Sequence, residues 1–143
     1  MDICIDFDGT CVTHEFPYIG EDIGAVPVLK ELVENGHRLI LFTMRSDRKI
    51  KKKDQAGEDM IIEENYLTAA VEWFQKNEIP LYGIQKNPSQ QYWTSSPKAY
   101  GQLYIDDAGL GCPLIYPNDD TRPYVDWKMI RCFLMEMGLI YEK

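Results

Sequence analysis

The sequence predicts an α/β protein in three layers, α/β/α, with a mainly parallel sheet between two layers of helices. Short apolar segments typical of buried strands alternate along the chain with segments whose apolar residues recur at helical spacing. Strands that alternate with helices are joined by right-handed crossovers, which make the strands parallel and cover the sheet with helices. A length of 143 residues is typical of one domain, so we expect a single domain over residues 1–143.

The first half of the chain predicts two strands and two helices. Residues 2–6 read as a buried strand. Residues 22–35 carry apolar side chains three or four positions apart and stop at Gly36, which predicts a helix. A second strand follows at residues 37–43, apolar through its middle as expected of a strand covered on both faces. After a charged loop, one apolar stripe over residues 63–77 predicts the second helix.

The second half continues the alternation with shorter elements. Residues 80–84 predict a third strand, followed by a loop rich in Asn, Pro, Ser and Gln that runs to residue 98. Residues 103–105 predict a fourth strand, and residues 113–116 are a candidate for a fifth. A C-terminal helix is predicted over residues 126–137.

Polar residues follow the ends of three predicted strands. Asp6 and Asp8 stand at the end of the first strand, Thr43 ends the second, and Asp106 and Asp107 stand at the end of the fourth. In open parallel sheets the ligand site lies at the carboxyl ends of the strands. We therefore expect these five residues at one edge of the sheet.

The segment Asp6-Phe7-Asp8-Gly9-Thr10 is the most specific signal in the chain. Two carboxylates at i and i+2 on a backbone that leaves a strand can converge on one hard cation such as Mg²⁺. Glycine then permits a sharp turn, and the threonine can hydrogen-bond locally. The pattern suits a carboxylate nucleophile beside a carboxyl acid, with Mg²⁺ between them and an anionic substrate.

In this order, the acidic motif, Thr43, Lys98 and the pair Asp106-Asp107 resemble the four motifs of the haloacid dehalogenase superfamily of phosphotransferases. The resemblance covers residues 2–107 and implies a Rossmann-like sheet. Many relatives insert a mobile cap domain, whereas here only residues 11–21 separate the first motif from its helix. The resemblance therefore implies the minimally capped branch, without a large cap domain. A short flap takes the place of the cap, and its residues His14, Phe16 and Tyr18 could shape the entrance of the site.

Two alternative interpretations of the acidic motif, an EF-hand and a response-regulator receiver, fit the order of the motifs less well. An EF-hand loop that begins at Asp6 would need Glu at its twelfth position, where Pro17 stands. A response-regulator receiver has its acidic pair after the first strand and its phosphorylated Asp after a later one. Here the doublet is late and the DxD motif is early.

The resemblance implies roles for the acidic residues. Asp6 would be the nucleophile that forms an aspartyl-phosphate, and Asp8 would act first as general acid and then as general base. Mg²⁺ would be held by the Asp6 carboxylate, the Asp8 backbone carbonyl and one member of the pair Asp106-Asp107. The sequence leaves open which member of that pair binds the metal directly.

The resemblance also implies roles for polar and basic residues around the phosphoryl group. Thr43 would donate its hydroxyl to the transferring group, and Lys98 would neutralise its oxygens, with Lys86 as the substitute candidate. Arg45 follows Thr43 by two residues and either grips a second anionic group of the substrate or is a surface residue.

These implications add up to a Mg²⁺-dependent phosphomonoester hydrolase, a phosphatase acting on a small phosphorylated metabolite. A nucleotide or nucleic-acid 3′-end phosphatase is the alternative suggested by the basic run at residues 48–53, which we expect to be a loop beside the site. A net charge of −8 argues against nucleic-acid and membrane-surface partners. The non-enzymatic alternative is a metal-binding phosphate sensor or scaffold with little turnover.

The sequence carries no sign of a membrane or secretory destination. No apolar run approaches the roughly 20 residues that span a bilayer, and no signal peptide precedes the first strand, so we expect a cytoplasmic protein. An open site is easily closed by a second subunit, which leaves a homo-oligomer as an open alternative.

Overall fold

The computed structural model describes residues 1–142 as a parallel sheet, three α-helices and two small antiparallel ribbons. A 3₁₀ helix (Pro88–Tyr92) lies between the third and fourth strands of the parallel sheet. In chain order the other elements are β1 (Asp2–Ile5), α1 (Ala25–Glu34), β2 (Arg38–Leu41), β3 (Asp47–Lys53), β4 (Asp59–Asn65), α2 (Tyr66–Lys76), β5 (Gly83–Ile84), β6 (Leu103–Ile105), β7 (Leu114–Ile115), β8 (Tyr124–Val125) and α3 (Trp127–Glu136).

The main sheet has four parallel strands in the order β5-β2-β1-β6. β1 lies between two neighbours, with Ile3 opposite both Leu39 of β2 and Leu103 of β6. Every residue of β1 is buried. The small α/β fold with a mainly parallel sheet is therefore confirmed, and the carboxyl ends of β1 and β6 lie side by side.

All three α-helices of the described chain pack on one face of this sheet. Side chains alternate between faces along a strand, and Ile3 and Ile5 share a core cluster with buried residues of α1, α2 and α3. The helices have 10, 11 and 10 residues. Among residues 1–142, no helix combines the length and the apolar character that a membrane crossing needs.

The other face of the sheet is covered by irregular chain. Cys4 and Ile40 pack there against Ala99, with Phe42 and Tyr82 around them. The segment between β5 and β6 crosses this face and contains the 3₁₀ helix, because its proline and short polar residues are poor α-helix formers. In this structure, irregular chain stands where the sequence predicted a second helical layer.

The predicted charged loop at residues 48–53 is instead a strand, so that prediction was wrong. It lies in β3, which pairs with β4 in an antiparallel hairpin. Arg48 forms an ion pair with Glu64 across the hairpin, and Lys49 and Lys53 also face acidic partners on β4. These pairs take up much of the positive charge of the run. Because β4 extends to residue 65, α2 begins three residues later than predicted.

The candidate fifth strand also forms, but outside the main sheet. β7 pairs antiparallel with β8 in a separate ribbon. The amide of Val125 in β8 donates to the carbonyl of Gly9 over 2.9 Å, and the indole N–H of Trp127 donates to the carbonyl of Thr10 over 2.7 Å. The ribbon and the start of α3 are thereby fixed against the turn that follows β1.

Candidate active site

Three carboxylates meet at the carboxyl edge of the sheet, as the sequence predicted. Asp6 follows β1, Asp106 and Asp107 follow β6, and one oxygen from each of the three lies within 4.8 Å of the others. The amide of Asp6 donates to the carbonyl of Ile105 over 3.1 Å, which aligns the two strand ends. The carboxylates lie in a cleft of about 410 Å³ whose full lining is Asp6, Asp8, His14, Phe16, Thr43, Met44, Arg45, Asp106, Asp107, Ala108 and Arg122.

Thr10 connects the two acidic segments. Its buried hydroxyl donates to Oδ2 of Asp6 over 2.8 Å and accepts from the amide of Asp107 over 3.0 Å. The sequence predicted a local hydrogen bond here. The structure adds a bond between segments nearly a hundred residues apart, so Thr10 helps to position both sides of the carboxylate cluster.

Asp6 lies in an environment that disfavours its charge. Burial, followed by the negative charge of Asp106, raises the pKa of Asp6 to about 8. A divalent cation among the three carboxylates would offset both effects, and carboxylate oxygens are the ligands that Mg²⁺ prefers. The donor set of Asp6, Asp106 and Asp107 therefore fits a hard cation such as Mg²⁺.

Gly9 allows the flap to approach this cluster closely. Its φ is +80°, and a Cβ at this position would lie 2.0 Å from Nε2 of His14 and 2.5 Å from Oδ2 of Asp107. The same two atoms of His14 and Asp107 are 2.8 Å apart and form a hydrogen bond. Sequence reasoning placed His14 only at the entrance, because a flap residue gives no sign of which strand end it will contact.

Arg45 does not project into the cleft as a free cation. Its Nε and Nη2 bind the two carboxylate oxygens of Asp8, each over 2.8 Å. The remaining N–H groups donate to the carbonyls of Pro17, Tyr18 and Tyr66. All five guanidinium donors are used and the residue is 2% exposed, so in this structure Arg45 is neither a surface residue nor free to bind a second anionic group, the two alternatives that the sequence left open.

Thr43 lines the cleft, and Gln85 holds it there. The amide of Thr43 donates to Oε1 of Gln85 over 2.9 Å, and Nε2 of Gln85 donates to the carbonyls of Thr43 and Arg45. Oγ1 of Thr43 accepts from the amide of Arg45, which leaves its own hydroxyl proton available to a ligand. Gln85 has a φ of +64°, a conformation that no sequence pattern pointed to.

The structure does not bring either candidate lysine to the cleft. Lys98 precedes β6 and therefore lies towards the amino end of that strand, away from the carboxyl edge. Its Nζ lies 5.4 Å from the ring centre of Tyr104. Lys86 lines a separate cavity with Asn87 and the 3₁₀ helix. The assignment of Lys98 to the site fails because the loop that carries it crosses the second face of the sheet.

Arg122 is a cleft residue that the sequence did not reveal. It belongs to the connection between β7 and β8 and lines the cleft from the side of that ribbon. Its position depends on the hydrogen bond between Val125 and Gly9, which spans more than a hundred residues of sequence. No local pattern carries that information.

A four-stranded parallel sheet with carboxylates at its carboxyl edge defines a small α/β protein with a candidate metal site. No family model matches the chain, and no curated protein matches it. The chain is similar to a solved structure of a conserved protein from Bacteroides thetaiotaomicron, with 31% identity over 100% of this chain and 98% of the other and a TM-score of 0.67. The chain belongs to the same family as that protein. The relative is described as a conserved protein, so the likeness carries fold and family and no activity.

Substitution of Gly9 tests the close approach of the flap. We expect Gly9→Ala to destabilise the protein by about 1.5–3 kcal/mol more than Gly36→Ala in urea unfolding, because it must separate the hydrogen-bonded His14 and Asp107. Gly36 is the matched control: its φ is +85° and nothing lies within 4 Å of its added Cβ. Equal losses for the two variants would show that the contact at Gly9 has no energetic weight.

Substitution of Arg45 tests its structural role. Arg45→Met leaves the carboxylate of Asp8 without its partner, and we expect a loss of about 3 kcal/mol or more in the free energy of unfolding. Arg48→Met removes the exposed pair with Glu64 and should cost no more than about 1 kcal/mol. A loss at Arg45 as small as that at Arg48 would contradict the assignment.

The raised pKa of Asp6 predicts a pH dependence of stability without metal. Between the ordinary Asp pKa of about 3.9 and the folded value of about 8, the folded state holds a proton that the unfolded state has lost. Stability should therefore fall as pH rises through this window. In EDTA, Asp6→Asn should melt above the wild type by roughly 5 °C or more at pH 8, and the difference should shrink towards pH 4.

The control for this experiment is Asp59→Asn, which changes an exposed carboxylate of the hairpin. It should melt in parallel with the wild type across the pH range. Mg²⁺ competes with the proton at Asp6, so it should raise the wild-type Tm more at pH 8 than at pH 5. A constant offset between Asp6→Asn and wild type at all pH values would refute the electrostatic account.

Proposed function

We propose that this protein is a Mg²⁺-dependent phosphomonoester hydrolase of the haloacid dehalogenase superfamily, in its minimally capped branch. The observation that carries the proposal is the convergence of Asp6, Asp106 and Asp107 in one cleft that also holds Asp8 and Thr43. We further propose that the sheet is Rossmann-like, with irregular chain in place of one helical layer. Bound Mg²⁺ would supply positive charge to the carboxylates and to the phosphoryl oxygens.

Asp6 is the nucleophile in this proposal. Its Oδ2 accepts a hydrogen bond from Thr10, which fixes the side chain and leaves Oδ1 to attack phosphorus. The new Oδ1–P bond forms as the P–O bond to the leaving group breaks, which gives an aspartyl-phosphate and an alcohol. Water then attacks this phosphorus, which releases inorganic phosphate and regenerates the carboxylate.

Asp8 moves the protons of both steps. It gives a proton to the leaving oxygen in the first step and takes one from water in the second. In the structure both of its oxygens bind Arg45. A protonated Asp8 can keep one oxygen on Arg45 and present its O–H with the other, so the acid step requires one of these two hydrogen bonds to open.

Thr43 is suited to bind the phosphoryl group during both steps. Its Oγ1 already accepts from the amide of Arg45, so the hydroxyl can donate its proton to a phosphoryl oxygen. Hydrogen bonds from Gln85 hold the main chain of Thr43, and with it the position of this side chain, before substrate arrives. Such preorganised donors lower the cost of developing charge in the transition state.

A small phosphorylated metabolite is the preferred substrate class over a nucleic-acid end. The basic run that favoured a nucleic-acid end faces acidic residues on β4, and none of its side chains lines the cleft. The net charge of −8 points the same way.

A phosphate sensor or scaffold is the second candidate, and one observation favours it. Arg45 occupies both oxygens of the proposed general acid, and neither candidate lysine reaches the cleft. A site in this state binds a cation and phosphate without an acid poised to expel the leaving group. Turnover measurements separate this candidate from the hydrolase.

The test is hydrolysis of an aryl phosphate by the full chain with Mg²⁺, with EDTA, and with Asp6→Asn. We expect Mg²⁺-dependent turnover that falls by about three orders of magnitude or more in Asp6→Asn. Asp59→Asn removes an exposed carboxylate of the hairpin and should hydrolyse the substrate like the wild type. Turnover that persists in Asp6→Asn would exclude the aspartyl-phosphate mechanism, and phosphate binding without turnover would favour the sensor.

A further inference from the structure

Arg122 is the cation of the cleft whose hydrogen-bonding capacity is unused. All five N–H donors of Arg45 are hydrogen-bonded to Asp8 and to backbone carbonyls. Within the described residues, the guanidinium of Arg122 has neither a hydrogen bond nor an ion pair, although it lines the cleft. An arginine with free donors beside a carboxylate cluster is well suited to bind an anion that the cluster itself would repel.

The backbone around Arg122 is held at the rim of the cleft. Just before it, the carboxylate of Asp119 accepts from the amide of Thr121 over 2.9 Å and also from its hydroxyl. Just after it, Val125 donates to the carbonyl of Gly9 in the turn that carries the acidic motif. The main-chain bond from Val125 to Gly9 therefore holds the end of this loop, which carries Arg122, beside the first motif.

Arg122 also stands where two cavities meet. The cleft of about 410 Å³ adjoins a second cavity of about 340 Å³, and both are lined by His14 and Arg122. Arg122 thus borders both the cleft that holds the carboxylates and the cavity beside it.

We propose that Arg122 binds the phosphoryl group of the substrate, in the role that the family resemblance gave to a lysine. This inference rests on the proposed function, because it requires a phosphoryl group beside Asp6. A phosphate dianion meets four cleft carboxylates, and Arg45 pairs with only one of them, Asp8. The planar fork of Arg122 can give two N–H groups to two phosphoryl oxygens and neutralise charge in a cleft that neither Lys86 nor Lys98 lines.

The probe is inorganic phosphate, titrated calorimetrically into the full chain with saturating Mg²⁺. Arg122→Ala should raise the Kd by about 10- to 100-fold, because it removes charge-assisted hydrogen bonds to an anion. Arg122→Lys should recover part of the loss, since it keeps the charge but not the two-pronged geometry. Arg122 is exposed, so its variants should keep the wild-type Tm.

The matched control is Lys76→Ala, which removes the same unit of charge from the last turn of α2, away from the cleft. It should bind phosphate like the wild type. Lys86→Ala and Lys98→Ala are the competing variants. A loss of phosphate affinity in either of them with none in Arg122→Ala would overturn the inference, and so would a wild-type protein that does not bind phosphate.

Hydrolysis, measured on the same variants, separates this inference from the proposed function. Phosphate binding that depends on Arg122 in a protein without turnover would support the role of Arg122 and defeat the hydrolase. Mg²⁺-dependent turnover with a KM unchanged by Arg122→Ala would support the hydrolase and defeat the role of Arg122. If both proposals hold, the variant should raise KM for an aryl phosphate as well as the Kd for phosphate.

Discussion

The geometry of the site depends on the buried ion pair between Arg45 and Asp8. A guanidinium in the protein interior is tolerated only when its charge and its N–H groups have partners. Here the partners come from three segments, the turn after β1, the flap and the first residue of α2, while Arg45 itself belongs to the loop after β2. Because each segment supplies hydrogen-bond partners to the same guanidinium, none of them can shift without leaving a donor or an acceptor unpaired.

This constraint gives the two aspartates of the motif different surroundings. Asp6 lies beside Asp106, and burial together with that negative charge raises its pKa to about 8. Asp8 lies beside Arg45 and is held by two charge-assisted hydrogen bonds. Two carboxyls only two residues apart thus have opposite neighbours: Asp6 lies against negative charge that a cation can offset, whereas Asp8 already has a guanidinium as its partner.

The success of the sequence predictions depended on how local their physical cause was. Asp6, Asp106 and Asp107 were placed correctly because the apolar strands are local patterns and parallel strands end at one edge. Lys98 was misplaced because its position depends on the path of an irregular loop across the second face of the sheet. Arg122 could not be found, because a hydrogen bond between distant segments brings its loop to the acidic motif. The strand at residues 48–53 could have been predicted more easily, because its basic residues face a complementary acidic run in β4 that lies nearby in the sequence.

The charge balance of the cleft favours a bound cation in both candidate functions. Four carboxyl groups line it: Asp8 is neutralised by Arg45, Asp6 keeps a proton without metal because its pKa is raised to about 8, and Asp106 and Asp107 remain opposite Arg122. A phosphate dianion would meet a net negative site unless a divalent cation joined it, whether the protein hydrolyses its ligand or only binds it. The two functions therefore differ at Asp8 and not at the metal. Turnover needs one hydrogen bond of the Arg45–Asp8 pair to open when substrate arrives, whereas a sensor works with that pair closed.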